Sequence, residues 1–203
     1  MNQNEKLLSL VQEALSELDQ PNYKLSSVIR KSIRIARLRN DFDNLYWLEL
    51  EMVDMRDKWN KDHLTSNLRQ HYKADEFEIL NKRVYETIIE ARTSHNSEQV
   101  YAPSVPDIEG LRETLTDNVQ SFKKGSLHEF DTKEMIASLD RILKRIEHRV
   151  FDFLSLSEKQ LIDGQRNSDF FERTRQYVDT RLSLLSVSAL QQLTTAYVKT
   201  NRR

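Results

Sequence analysis

The acidic side chains of DFDNLYWLELEMVDM, residues 41–55, are the first candidates for chemistry in this sequence. Two carboxylates that perform general acid–base catalysis must converge on one substrate. In an α-helix, Glu49 and Glu51 point about 200° apart, because successive residues turn by about 100°. These two acids therefore cannot form a catalytic pair, and we expect them to be structural.

The spacing of the other acids also indicates structural roles. Glu51, Asp54 and Lys58 follow one another at intervals of three and four residues. This spacing predicts one exposed stripe on a helix, with an ion pair between Asp54 and Lys58. Asp41 or Asp43 is expected to cap the start of that helix, where an anionic side chain meets the positive end of the helix dipole.

Basic side chains precede the acidic stretch, on a second predicted helix. Arg30, Arg34 and Arg37 lie at i, i+4 and i+7, which places them in one row on the helix surface. Such a row suits the phosphates of RNA or DNA, and it equally suits the acidic face of the following helix. The net charge of −1 and the lack of an aromatic stacking pattern favour internal pairing. Contact with a partner or with nucleic acid through these arginines is the alternative.

The sequence contains no recognisable catalytic or cofactor-binding motif. None of its five histidines has an arginine five positions earlier, as the Arg–x4–His motif of helical HEPN ribonucleases requires. Isolated glycines cannot form a phosphate-binding loop, and without cysteine there is no thiolate nucleophile. His63 and His71 lack a carboxylate that completes a metal site. We expect no catalytic residue, metal or cofactor; an enzyme without a known motif is the third alternative.

The elements that position these residues are predicted to be helices throughout. Three glycines and three prolines in 203 residues are too few for many strands and tight turns, and apolar residues recur at intervals of three and four. The sequence therefore predicts an all-α bundle of about seven to eight helices. Helices are expected at 4–19, 24–39, 41–59 and 74–92, from 108 to a stop at Gly125, from an Asp131-capped start to beyond Phe153, and at 168–199.

Two breaks divide these predicted helices. The segment TSHNSEQVYAPSVPDIEG holds two of the three prolines, which predicts a loop or hinge near 93–107. Gly164 predicts a second break. We therefore predict a helical domain over 1–160 and a helical extension over 165–203.

The C-terminal segment is apolar on more than one side. Leu182, Leu185, Leu190 and Leu193 belong to an apolar side broader than one stripe. Such a helix packs within a bundle or against another subunit, so we predict self-association or a protein partner through these leucines. No run of about 18 apolar residues and no signal-peptide pattern is present, so we expect no membrane insertion and a cytoplasmic location.

One block of the sequence resembles a known family. LLSLVQEAL followed by LSSVIRKSIRIARLRNDFDNLYWLELE is similar to the N-terminal region of the AbiTii family of bacterial abortive-infection proteins. The pattern is a short amphipathic helix, then Leu-Ser-x-x-aliphatic-Arg-Lys-x-aliphatic-x-aliphatic-Ala-Arg, a polar gap and Trp-Leu-x-Leu-Glu. LKRIEHRVFDFLS, residues 143–155, resembles the helix near the end of the family's domain. The matching positions in the first block are Leu25, Ser26, Ile29, Arg30, Lys31, Ile33, Ile35, Ala36, Arg37, Trp47, Leu48, Leu50 and Glu51.

The resemblance covers about residues 1–160, and it implies defence against phage by halting the infected cell or by assisting a partner that does so. It supplies no catalytic residue, and it implies a non-enzymatic helical module that acts as an adaptor, a scaffold or a toxin-like effector. One departure concerns the segment after Trp-Leu-x-Leu-Glu, where the family has a glycine-bearing turn. Here MVDMRDKWNKDHL has a helical period, which predicts that the third helix continues to Trp59.

Overall fold

The computed structural model describes the backbone of residues 3–93 and 100–200 and, within those ranges, the side chains up to residue 164. The described residues form seven helices and no strand, which confirms the predicted all-α fold. The helices are α1 (Gln3–Leu18), α2 (Leu25–Arg39), α3 (Phe42–Glu51), α4 (Lys58–Arg69), α5 (Ala74–Arg92), α6 (Val105–Val119) and α7 (Leu127–Thr200).

The chain divides into two compact units, Met1–Glu158 and Lys159–Arg203. The backbone around Gly164, in the second unit, is helical, so the predicted break at this residue is wrong. A glycine inside a helix costs about 1 kcal/mol relative to alanine and does not by itself end the helix. The sites analysed below all lie in the first unit.

The junction between α2 and α3 is set by two polar residues. Asn40 adopts the left-handed conformation, with φ 54°, and ends α2; asparagine tolerates this conformation better than most residues. The side chain of Asp41 accepts a hydrogen bond from the N–H of Asn44 at 3.3 Å and caps α3. The prediction that an acid caps this helix is confirmed, with Asp41 as the cap.

The third helix is shorter than predicted. α3 ends at Glu51 and a turn precedes α4, so the predicted continuation to Trp59 is wrong. In the turn, the N–H of Met55 donates to the carbonyl of Ala102 at 2.8 Å, and Asp57 caps the start of α4. These bonds replace the helical ladder. Trp59 is 72% exposed.

The start of α7 also differs from the prediction. The helix begins at Leu127, so Asp131 lies inside it and does not cap it. The side chain of Ser126 accepts a hydrogen bond from the N–H of Glu129 at 3.2 Å and takes the capping role. Gly125 precedes it with φ 77°, a conformation that glycine adopts without strain.

The core of the first unit is built from one side of most helices. α2 packs against α1, α3 and α6, and α3 packs against α4 and α5. The apolar positions predicted for α5 and for α7 between residues 139 and 153 are buried, which confirms the helical periodicity there. The buried apolar side chains include Val11, Ala14, Val28, Ile29, Ile35, Ala36, Tyr46, Leu48, Leu50, Val84, Ile88, Ile108, Ile142, Ile146, Val150 and Leu154.

α6 and α7 continue past this core as an arm, residues 109–138. Buried residues stop at Ile108 and resume at Leu139, and none in the arm is buried. Arg112 and Asp140 form an ion pair that joins the two helices as an antiparallel pair. The arm tip is residues 121–130, and Leu127 in it lies about 18 Å along α7 from Leu139, at about 1.5 Å per residue.

The first prediction concerns the start of α6. Ser104 caps this helix: its hydroxyl accepts from the N–H of Asp107 at 3.4 Å, and the Asp107 carboxylate accepts from the N–H of Ser104 at 3.3 Å. We expect Ser104→Ala to lower the free energy of unfolding by about 1 kcal/mol. Thr114→Ala is the control, because the Thr114 hydroxyl only donates to the carbonyl of Gly110 within the same helix. Equal effects of the two substitutions in urea unfolding would show that the cap contributes nothing.

Candidate functional site

A buried ion pair lies at the end of α3. The side chains of Glu51 and Arg92 are fully buried, and Arg92 Nη2 lies 2.6 Å from Glu51 Oε2. Arg92 Nε donates to the same oxygen at 3.1 Å, and Nη2 donates to the main-chain carbonyl of Glu51 at 3.3 Å. Hydrogen bonds between charged groups are stronger than neutral ones, so this contact fixes the end of α5 to the end of α3.

The same arginine holds the segment that leads into α6. Arg92 Nη1 donates to the carbonyl of Ala102 at 3.3 Å and to that of Pro103 at 2.5 Å. The N–H of Tyr101 donates to the carbonyl of Arg92 at 3.0 Å. Residues 101–103, in the predicted loop or hinge near 93–107, are therefore hydrogen-bonded to Arg92 of the ion pair.

Arg149 of α7 is the third charged member of this cluster. Its Cζ lies 4.4 Å from the ring centroid of Trp47, a cation–π distance. Its Nη1 lies 3.6 Å from Glu51 Oε1, and among the described residues neither atom has a hydrogen bond. The pKa of Arg149 is lowered, because burial lowers it by more than the Glu51 carboxylate raises it. We call Glu51, Arg92, Arg149 and Trp47 the ionic cluster.

The ionic cluster corrects two predictions about the acidic stretch. Glu51 is fully buried, so it does not belong to an exposed stripe. Asp54 pairs with Arg56, with Nη2 and Oδ2 2.5 Å apart, and not with Lys58. The reason is that α3 ends at Glu51, so the i+3 and i+4 positions of a helix no longer apply. The hydrogen bond from Arg56 lowers the pKa of Asp54 to about 2, against a smaller effect of burial.

The geometry of the ionic cluster is structural in character. Both carboxylate oxygens of Glu51 face guanidinium groups, so neither is directed at a space where a substrate binds. A cleft of about 420 Å³ lies beside Trp47 and Arg149. Its charged side chains include Arg83 and Asp43, which pair with each other at 2.9 Å. The cleft thus presents a pair of opposite charges, Asp43 and Arg83.

A second cleft, of about 510 Å³, lies between the α1–α2 connection and the helices α6 and α7. Tyr23 donates a hydrogen bond to Glu147. Lys24 lies 3.4 Å from Glu113. Burial raises the pKa of Tyr23, and the carboxylate of Glu147 raises it further. The Tyr23–Glu147 and Lys24–Glu113 contacts join three parts of the fold.

The predicted basic row does not act as one unit. Arg30 and Arg34 are exposed on α2, and the described residues include no ion pair to either of them. Arg37 forms an ion pair with Glu49 of α3. Lys31, which lies between Arg30 and Arg34 in the sequence, forms an ion pair with Glu17 of α1, with Nζ and Oε2 2.8 Å apart. Internal pairing therefore involves one of the three predicted arginines, and the other two face outward.

The remaining candidates have these positions. His63 stacks on Trp59 with ring centroids 5.6 Å apart, and His71 stacks on Phe42 at 4.0 Å. The part of the chain that the structure describes holds no group of three potential metal ligands, and none of its helices is long and apolar enough to cross a membrane. The side chains of Leu182, Leu185, Leu190 and Leu193 lie outside the described residues, so self-association through them stays a prediction.

Sequence reasoning missed Arg92 and Arg149. Arg92 follows Ile88 by four residues and Arg149 precedes Phe153 by four, so both arginines continue the apolar sides of their helices. A charge at such a position indicates a buried partner. The partner itself, 41 residues away in the case of Arg92, has no local signature.

Comparisons of the chain with models of protein families, with curated proteins and with solved structures give no match. The resemblance described above therefore depends on the quoted residues alone.

The second prediction tests the ionic cluster. Removing one partner of a buried ion pair leaves an uncompensated charge, so we expect Glu51→Ala to lower the free energy of unfolding by about 3–5 kcal/mol. Asp54→Ala is the matched control, since it removes an acid from an ion pair with the exposed Arg56 and should cost under about 1 kcal/mol. Urea unfolding measures both. Similar losses in the two variants would contradict the buried position of Glu51.

The third prediction concerns alkaline pH. Burial raises the pKa of the Tyr46 hydroxyl in the folded protein to about 12. As the pH rises, the unfolded chain therefore loses this proton at a lower pH than the folded protein does. This contribution to stability is complete below about pH 10 and is lost as the pH approaches 12. When the pH is raised from about 9 to about 11, the free energy of unfolding of the Tyr46→Phe variant should fall by about 1 kcal/mol less than that of the unsubstituted protein. The substitution also removes the hydrogen bond to Asn81, but this loss lowers the stability of the variant at both pH values. Equal falls in the free energy of unfolding of the two proteins, measured with urea, would therefore contradict the raised pKa.

Proposed function

We propose that the protein is a non-enzymatic helical module of bacterial anti-phage defence that acts as an adaptor, a scaffold or a toxin-like effector. The observation that supports this proposal is the ionic cluster. Trp47 and Glu51 belong to the first segment that resembles the AbiTii family, and Arg149 belongs to the second. The segments are far apart in sequence, yet Arg149 contacts both Trp47 and Glu51.

The contact bears on the resemblance because chance similarity gives no reason for two segments to meet. Most of the quoted aliphatic positions of α2 and α3 are buried, among them Ile29, Ile35, Leu48 and Leu50. The resembling residues thus form one packed unit, as residues that define a shared domain would. Defence against phage is then the function that the resemblance implies.

The test is phage plating on cells that express the gene with its genomic neighbours. We expect a lower efficiency of plating for at least one phage in a broad panel. Asp54→Ala should retain protection, and Glu51→Ala should lose it through loss of the fold. Undiminished plating across the panel, with the folded protein confirmed in the cells by limited proteolysis, would overturn the proposal.

A second proposal is binding of RNA or DNA through the basic face at residues 30–39. The outward position of Arg30 and Arg34 supports it, because cations without an ion-pair partner among the described residues are available for phosphates. In this case the double substitution Arg30→Glu and Arg34→Glu abolishes a salt-dependent mobility shift without changing the melting temperature. Adding Arg37→Glu removes the ion pair with Glu49 as well. A protein that shifts no nucleic acid at low salt rules this function out.

A further inference from the structure

The arm tip exposes apolar and basic side chains together. Leu127 is 73% exposed and Phe130 is 67% exposed, one turn apart on α7. Phe122 is 37% exposed on the other side of the turn. Lys123 and Lys124 are exposed between them, and the sequence from Phe122 to Leu127 contains no acidic residue.

The shape of the tip is fixed by its own hydrogen bonds. The carboxylate of Glu129 accepts from the N–H of Gly125 at 2.6 Å and from the ammonium of Lys133 at 2.5 Å. Glu129 also donates its N–H to Ser126 at 3.2 Å. The acid nearest to the turn is thus used to build the tip, and its ion pair is with Lys133 and not with Lys123 or Lys124.

The position of this patch distinguishes it from ordinary exposed leucines. Single exposed apolar side chains are common on protein surfaces, but here two of them share one end of an arm that holds no buried residue. Leu127 and Phe130 lie about 18 Å and about 14 Å along α7 from the core residue Leu139, so they cover no part of the core. Exposed apolar side chains that share one place are candidates for a binding surface.

We propose that the arm tip docks on a membrane surface that contains anionic lipids. Leu127 and Phe130 enter the boundary between headgroups and acyl chains, and Lys123 and Lys124 contact the headgroups. A lipid surface is favoured because it offers negative charge and an apolar layer at once. Nucleic acid phosphates match the lysines but give no partner to the aliphatic Leu127. Such docking needs no helix that crosses the membrane.

Two exposed acids oppose this contact, Asp131 and Glu134, the second standing four residues after Phe130. Asp131 follows Leu127 by four residues on α7 and is exposed, so its carboxylate lies one turn behind the docking residue. Like charges repel across such a distance, and the anionic surface therefore disfavours it. Asp131→Asn should strengthen docking, whereas a substitution elsewhere on the surface should not.

The experiment is co-sedimentation of the purified full chain with vesicles of phosphatidylcholine, with or without phosphatidylserine. We expect binding only to the anionic vesicles, falling as salt increases. Lys123→Glu with Lys124→Glu, and separately Leu127→Ser with Phe130→Ser, should each weaken binding at least about tenfold. Two controls match them: Arg30→Glu with Arg34→Glu, and Ile79→Ser, which removes an apolar side chain that is 70% exposed.

Each outcome decides the proposal. Loss of binding in the two tip variants, with both controls unchanged, supports it. No binding to anionic vesicles, or an equal loss in the Arg30 and Arg34 variant, overturns it. Concentration-dependent oligomers that the Leu127 and Phe130 substitutions abolish, without vesicle binding, assign the tip to a second copy of the chain and also overturn it. The assay uses purified protein, so its result is independent of phage plating.

Discussion

The buried ion pair between Glu51 and Arg92 is the contact on which the rest of the first unit depends. Taking a charge out of water costs several kcal/mol, and only a complete set of partners compensates for it. Arg92 supplies part of that set by donating to one carboxylate oxygen of Glu51, to the carbonyl of Glu51 and to the segment before α6; the other carboxylate oxygen, Oε1, has no hydrogen bond among the described residues. Arg149 of α7 contacts the other oxygen of the same carboxylate and so connects α7 to it. One acid thus fixes the positions of four parts of the chain relative to one another.

Much of the fold follows from the sequence, because helical periodicity is a local property. The apolar residues of α5 and of α7 between 139 and 153 are buried as their spacing predicts. The end of α3 does not follow from spacing, because the turn after Glu51 is held by a bond between Met55 and Ala102, far apart in sequence. The start of α7 lies at Leu127 because Ser126 caps it, whereas the sequence DTKE at 131–134 resembles a capping motif but lies inside the helix.

The candidate site, too, is predicted by the sequence only where a feature is local. Exposure of Arg30 and Arg34 agrees with their place on the polar side of α2, whereas the burial of Glu51 contradicts the exposed stripe that its spacing indicated. A buried charge is intelligible only with its partners, and these lie on other helices. The functional picture therefore separates a rigid centre, which supports the family resemblance, from an arm whose tip has no role in the core. We propose a binding role for the arm tip, whereas the ionic cluster holds the segments that lead into the arm.

The most direct test of this account is a double-mutant cycle between Glu51→Gln and Arg149→Gln, measured by urea unfolding. These residues connect the two segments that resemble one family, so the account predicts that their effects are not additive. A coupling free energy of at least about 1 kcal/mol is expected for charged side chains in contact within one buried network. Additive effects, within about 0.5 kcal/mol, would show that Glu51 and Arg149 do not interact and would contradict the contact that connects the two segments.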